Sequence, residues 1–176
     1  YSTVDDMLED VRVSQDRFSG FSEKQAFDDF FENATFVGFG FSSDSASDPS
    51  AYIVRYVFSD SAAEQAGLSR GDRLTNINDF SIAQIRDQEL SNDDIFGPNE
   101  EGFSINITFE KPNGTVVETQ MSKIEVSTNT VFATQVFSSN VGQVGYLSFQ
   151  NGFIEPSNEE LRIAFAQLAS EQVSEL

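Results

Sequence analysis

Gly38-Phe39-Gly40-Phe41 spaces two glycines two residues apart, so that three successive backbone N–H groups, those of Phe39, Gly40 and Phe41, can converge on one point. Glycine tolerates the φ values that such a turn requires. Converging N–H groups make a nest that takes an anion. Phe39 and Phe41 are two apart, share a face of an extended chain and would supply an apolar wall beside the nest. An ordinary glycine-kinked strand contains the same residues, so these four positions take their meaning from their surroundings.

Other chemistries are excluded by composition. The 176 residues include no histidine and no cysteine. There is no imidazole for a Ser-His or Cys-His pair, no thiolate nucleophile, no imidazole or thiolate metal site, and no disulfide. Lys24, Lys111 and Lys123 lie in no pattern that pairs a lysine base with a serine, and read as solvated surface charges. Asp44, Asp48, Asp93 and Asp94 lack the Asp-x-Asp-x-Asp-Gly spacing of a calcium loop and read as solvated acidic loops. No catalytic residue, cofactor or metal is expected in this chain. Lys plus Arg number 10 against 29 Asp plus Glu, a net charge of −19 that repels nucleic acid and anionic membrane surfaces. No apolar run approaches the roughly 18 residues of a membrane-spanning helix. With 39% apolar residues and 18 phenylalanines, the chain has the material for a packed core.

Three stretches differ in hydrophobic period. In residues 1–34 the pattern is helical. Thr3 caps a segment with Val4, Met7, Leu8 and Val11 on one face, and Ser22 with Gln25 reads as a capping box before Ala26, Phe27, Phe30, Phe31 and Ala34. Residues 35–125 read mostly as strands. Tyr52 to Phe58 is almost continuously apolar, as in a strand buried on both faces. Ser61 to Glu64 reads as another capping box, opening a short helix that Gly67 ends, and Gly71-Asp72 turns into a strand from Arg73 to Asn78. Phe103, Ile105, Ile107 and Phe109 alternate, with the turn Asn113-Gly114 after them. Residues 126–176 read as strands Val131–Phe137 and Val144–Phe149, then a helix with Leu161, Ala164, Phe165, Leu168 and Ala169 on one face, opened by a capping box from Ser157 to Glu160. A strand followed by such a helix is half of a βαβ unit, so residues 126–176 are expected to belong to something larger.

The middle stretch resembles a PDZ domain. Gly38-Phe39-Gly40-Phe41 is close to that family's Gly-Leu-Gly-Phe loop. The run from Ser61 to Asp72 is similar to the bacterial "SPAxxAGLxxGD" pattern, and Leu74, Ile77 and Asn78 fit "GDxIxxING" with Asp79 in place of the usual glycine. The flanks resemble C-terminal processing (tail-specific) serine proteases. The run Asp16-Arg17-Phe18-Ser19, followed by the Phe-rich helix, is similar to their entry segment. Gly142 to Phe149 resembles the "GKIGYLxxxxF" strand that opens the protease core, and Glu160 to Ala169 the following "EELxxAFxxL" helix. Tyr52 to Val57 is similar to the secreted and lipoprotein branch of Bacteroidetes.

The resemblance implies an α+β fold: a PDZ-like, partly open β-barrel or sandwich with two short helices at 35–125, a helical segment at 1–34, and a truncated beginning of the protease core at 126–176. It implies that Gly38, Phe39, Gly40 and Phe41 hold the C-terminus of a peptide, with Ile95 and Phe96 on a helix between Ser81 and Gly97 as the opposite wall. The implied partners are C-terminal tails of protein substrates and the remainder of the protease core, with no nucleic acid and no membrane insertion by this chain. The family's Ser-Lys pair would lie beyond this chain, and the implied location is a bacterial cell envelope. The alternative is a non-catalytic PDZ scaffold. The PDZ family often places Arg or Lys shortly before the glycine loop; here Asn33, Ala34, Thr35 and Phe36 stand there.

Overall fold

Phe39 and Gly40 separate two sheets. Strand β1 (Thr35–Gly38) pairs antiparallel with β8 (Ile124–Ser127), from Thr35 opposite Ser127 to Gly38 opposite Ile124. At Gly40, with φ of +79°, the chain leaves that sheet and enters β2 (Phe41–Asp44), the edge of a second one. The second sheet runs antiparallel in the order β2, β3 (Tyr52–Val57), β4 (Arg73–Ile77), β6 (Ser104–Glu110), β7 (Val116–Ser122), with β5 (Phe80–Ser81) against β4. The computed structural model describes all residues except 2, 14, 17, 18, 45, 46, 141, 174 and 176, and not the side chains of 5 and 9. Arg17 and Phe18 of the Asp16–Ser19 run therefore lie outside the described residues.

The alternation read at 103–109 is realised in β6, where Ile105, Ile107 and Phe109 are at most 2% exposed. They pack with Leu74, Ile77, Val54 and Met121. Asn113-Gly114 makes the expected hairpin turn between β6 and β7, with Gly114 at φ +85°. The strand β3 departs from expectation. Only Val54 is fully buried and Arg55 is exposed. Its second face meets aromatic rings instead of a second core: Tyr56 and Phe58 stand 4.8 and 5.4 Å from Phe132.

Three short helices accompany the sheet where two were expected: α3 (Ala62–Gln65), α4 (Ile82–Asp87) and α5 (Asn92–Phe96). Ser81 to Gly97 divides because two capping boxes compete for it, Ser81 with Gln84 and Ser91 with Asp94, and Glu89 between them turns to φ +52°. The result is an α+β fold with an open sheet and, among the described residues, no closed barrel.

The N-terminal helices are α1 (Val4–Val11) and α2 (Lys24–Phe31). Thr3 caps α1 as read, and Asp6 is its reciprocal partner. The Ser22–Gln25 box does not form: α2 begins at Lys24 without a side-chain cap, because Gln25 is drawn forward to Asp29. The stripe of α2 is also less covered than expected, with Phe27 and Phe31 exposed and Phe30 half-buried.

In the tail, β9 (Val131–Ser139) and β10 (Gly142–Phe149) form an antiparallel hairpin, and α6 (Ser157–Ser170) follows. Ser157 does not cap α6. Its hydroxyl accepts the Ile154 N–H at 2.9 Å, and Glu160 reaches back to the start of β9. After α6 the chain returns to β10, where Glu175 forms a parallel bridge to Val144. No helix among the described residues is long and apolar enough to cross a membrane.

Candidate binding groove

The loop between β1 and β2 is held by its carbonyls alone. Ala63 donates its N–H to the Phe39 carbonyl and Phe58 to that of Gly40, both at 2.9 Å. The N–H groups of Phe39 and Gly40 have no acceptor among the described residues. Phe41 adds a third. It lies opposite Val57, and the neighbouring bond from Phe58 to Gly40 makes this a non-hydrogen-bonded pair. In such a pair the N–H and C=O point away from the partner strand, here toward the free edge of β2.

A cavity of about 710 Å³ opens on this edge. Its floor is aromatic: Phe39 and Phe41 each stand 6.2 Å from the ring of Phe96 on α5. Of the residues read as binding candidates, Gly38, Phe39, Gly40, Phe41 and Phe96 line this cavity. Ile95 does not. It is 3% exposed and faces the core, since the next residue along a short helix turns away from the groove. The far lip is supplied by α2 through Ala26, Glu23 and Asp29.

The geometry of this loop depends on Ser61, which is fully buried. Its hydroxyl donates to the Phe58 carbonyl at 2.7 Å and accepts the Glu64 N–H at 3.2 Å, capping α3. Glu64 completes no reciprocal box, because its carboxylate takes the Asp60 N–H one residue earlier. A Cβ placed on Gly40 would overlap that of Ser61. Glycine is thus required at 40 by contact with α3 as well as by its positive φ.

Two lysines read as solvated are not. Lys111 is half-buried, and its ammonium donates to Asp72, itself 1% exposed, at 2.8 Å. Asp72 also accepts the Ser69 N–H, which closes the Gly71-Asp72 turn. Lys123 is buried between β7 and β8 and lines the groove. Its ammonium donates to the carbonyls of Gly97 and Pro98 and to the Asn99 side chain, at 2.7–3.1 Å. It sits 5.4 Å from the Phe39 ring centre and 5.7 Å from that of Phe103. Burial pushes its pKa below the usual lysine value, and Asp93 opposes that shift. Lys123 fastens the turn after α5 and brings a positive charge behind the Phe39 floor, in place of the base that is absent before the glycine loop. Its only signal in the sequence is its place next to the apolar residues Met121 and Ile124.

The acidic residues have structural partners. Asp48 pairs with Arg73 at 2.8 Å, which together with the Ser50 hydrogen bonds holds its carboxyl well below the usual range. Asp94 accepts from Ser91, which lowers its pKa as well. Among the described residues no carboxylate group is arranged to hold a metal ion.

Residues 31–93 match the family model of the PDZ domain. This part of the chain has a PDZ-like fold. No curated protein matches the chain. Among solved structures, a Bacteroides fragilis protein assigned to the S41 proteases is 22% identical, with a TM-score of 0.53 over 92% of this chain and 48% of its own. The photosystem II D1 C-terminal processing protease is 19% identical, with a TM-score of 0.49 over 80% of this chain and 38% of its own. The PDZ domain of a carboxy-terminal protease from Vibrio cholerae, solved in complex with a peptide, is 14% identical, with a TM-score of 0.39 over 53% of this chain and 99% of its own. The likeness to the Bacteroides protein is one of fold, and it extends past the PDZ domain into the helices before it and the hairpin and helix after it. The chain spans about half the length of that structure.

Proposed function

We propose that the groove takes the C-terminal end of a polypeptide as an added strand along β2. The chain would thereby serve as the substrate-recognition part of a C-terminal processing serine endopeptidase, with its Ser-Lys pair outside this chain. The observation that carries the reading is the loop at Phe39-Gly40, whose carbonyls are occupied while its N–H groups are free above an aromatic floor. Peptide addition to a sheet edge draws affinity from main-chain hydrogen bonds and specificity from side-chain pockets. The apolar floor fits an apolar last residue, and the free N–H groups fit its carboxylate.

The protease assignment is supported by the fold shared with the Bacteroides protein over nearly the whole chain. The parallel bridge between Val144 and Glu175 also supports it, as the start of a further parallel strand beside β10. In that setting the PDZ domain holds a substrate tail and positions a bond for a separate catalytic centre. Binding of a fluorescent peptide ending in an apolar residue, compared with its C-terminal amide, tests the reading. Hydrogen bonds to a charged acceptor are worth about 1.5–3 kcal/mol, so amidation is expected to weaken binding roughly 10- to 100-fold. The net charge of −19 opposes an anionic peptide end, so added salt should tighten binding slightly or leave it unchanged. Equal affinity for acid and amide would overturn the carboxylate site.

A further inference from the structure

In a chain with 29 acidic and 10 basic residues, every arginine has an excess of possible partners. Every described lysine or arginine but two donates a hydrogen bond to an oxygen of the chain. The two exceptions are Arg55 on β3 and Arg70 in the loop after α3, both exposed. They line the same cavity, of about 490 Å³, between the PDZ sheet and the β9–β10 hairpin. Tyr56, Phe132 and Tyr146 contribute aromatic walls, and Ser69, Ser148 and Gln150 contribute further polar groups. The lining includes one carboxylate, Glu64, and that group is already committed to the Asp60 N–H at 2.6 Å. This cavity shares no residue with the β2 groove.

Two guanidinium groups without partners, on one cavity of an acidic protein, mark a place where the anion comes from outside the chain. A guanidinium is a planar fork that takes a carboxylate or a phosphate through two parallel hydrogen bonds. The volume falls within the roughly 300–1,000 Å³ of small-molecule sites. One wall belongs to the PDZ domain and the other to the hairpin, so an occupant would touch both. We propose that this cavity binds a doubly charged oxyanion, carboxylate or phosphate, and that its occupancy fastens the β9–β10 hairpin to the PDZ domain. The inference is independent of peptide binding in the groove.

Calorimetric titration of the chain with glutarate and with inorganic phosphate, at an ionic strength held constant with chloride, tests it. The expected result is saturable one-to-one binding of at least one of them, with slower amide exchange in 131–149 when bound. A preference for glutarate assigns the site to carboxylates, and a preference for phosphate to phosphate groups. Arg55→Gln and Arg70→Gln should each weaken binding tenfold or more, the loss expected for a charge-assisted hydrogen bond. Arg162→Gln removes the same charge from the exposed face of α6 and should stay within twofold of the parent. A cooperative urea unfolding transition like the parent's shows that each variant is folded. Non-saturable heats, or equal affinity in the parent and in folded Arg55→Gln and Arg70→Gln variants, would overturn the proposal and leave an adventitious ion only.

Discussion

The PDZ sheet and the tail are built from similar proportions of strand and aromatic residue, yet they hold together differently. The buried cluster of the molecule lies wholly between Phe39 and Met121, where strands alternate apolar and polar residues and α3, α4 and α5 cover one face. In the tail, α6 buries Ala164 and Leu168, while Ile163 and Phe165 on the helix and Phe137, Tyr146 and Phe153 around the hairpin remain exposed. The apolar face of α6 is thus divided: Leu168 is packed, Leu161 is half-buried, and Phe165 is open. A polar cluster ties α6 to the start of β9. The Glu160 carboxylate accepts the N–H and hydroxyl of Thr130 and the N–H of Val131, at 2.6–2.8 Å. Aromatic content alone does not make a core; a second layer must face it.

The largest expected effect separates the two regions by truncation. Phe109→Ala empties a fully buried site and should cost about 3–5 kcal/mol, while Phe165→Ala, half exposed on α6, should stay within about 0.5 kcal/mol. Urea denaturation of both variants measures this, and comparable losses would erase the distinction. Gly40→Val comes next. It forces a positive φ on a branched residue and a clash with Ser61, at an expected cost of about 2–3 kcal/mol with no peptide present. A Gly40→Val protein as stable as the parent would show that the loop can move off α3. Glu160→Ala leaves the Thr130 and Val131 donors without an acceptor and should destabilise the tail by about 2 kcal/mol. Amide exchange in 131–170 would report it, with Ser104–Glu110 unchanged. In the parent, amides of 157–170 should exchange through openings well below the global unfolding free energy, and protection equal to that of β6 would contradict the comparison.

How far this could be read from residues alone follows the same division. The β6–β7 hairpin, the Gly67 helix end and the Gly71-Asp72 turn were legible because local rules decide them: strict alternation, and glycine at positive φ. Three capping boxes were misread, at Ser22, Ser61 and Ser157. In each, a box residue had another partner: Gln25 found Asp29, Glu64 found Asp60, Ser157 found Ile154, and Glu160 found Thr130. Two others, at Ser81 and Ser91, formed in a stretch too polar to show a hydrophobic period. In the groove, four adjacent positions and Phe96 were readable. Lys123 was not, because its burial depends on carbonyls about 25 residues away that no local pattern brings near.

The smallest effect is that of pH. Asp48, held by Arg73, and Asp94, held by Ser91, titrate below their ordinary value of 3.8 in the folded chain. A lowered folded pKa stabilises fully above the unfolded value and is lost as pH falls through the folded one. Below about pH 3.8 the loop after β2 and the start of α5 should therefore loosen, and Asp48→Asn with Asp94→Asn should flatten that part of the stability profile. An unchanged acid limb in the double variant would remove these two groups from the account.

The central claim is that the free N–H groups of Phe39 and Gly40 take a peptide's terminal carboxylate. Amide NMR spectra of the ¹⁵N-labelled chain, recorded during titration with a peptide acid and with its amide, test it most directly. The account predicts that the Phe39 and Gly40 amide protons move downfield with the acid, more than any others, and far less with the amide at equal saturation. Peptide binding that leaves these two resonances in place, or moves them equally for acid and amide, would contradict it.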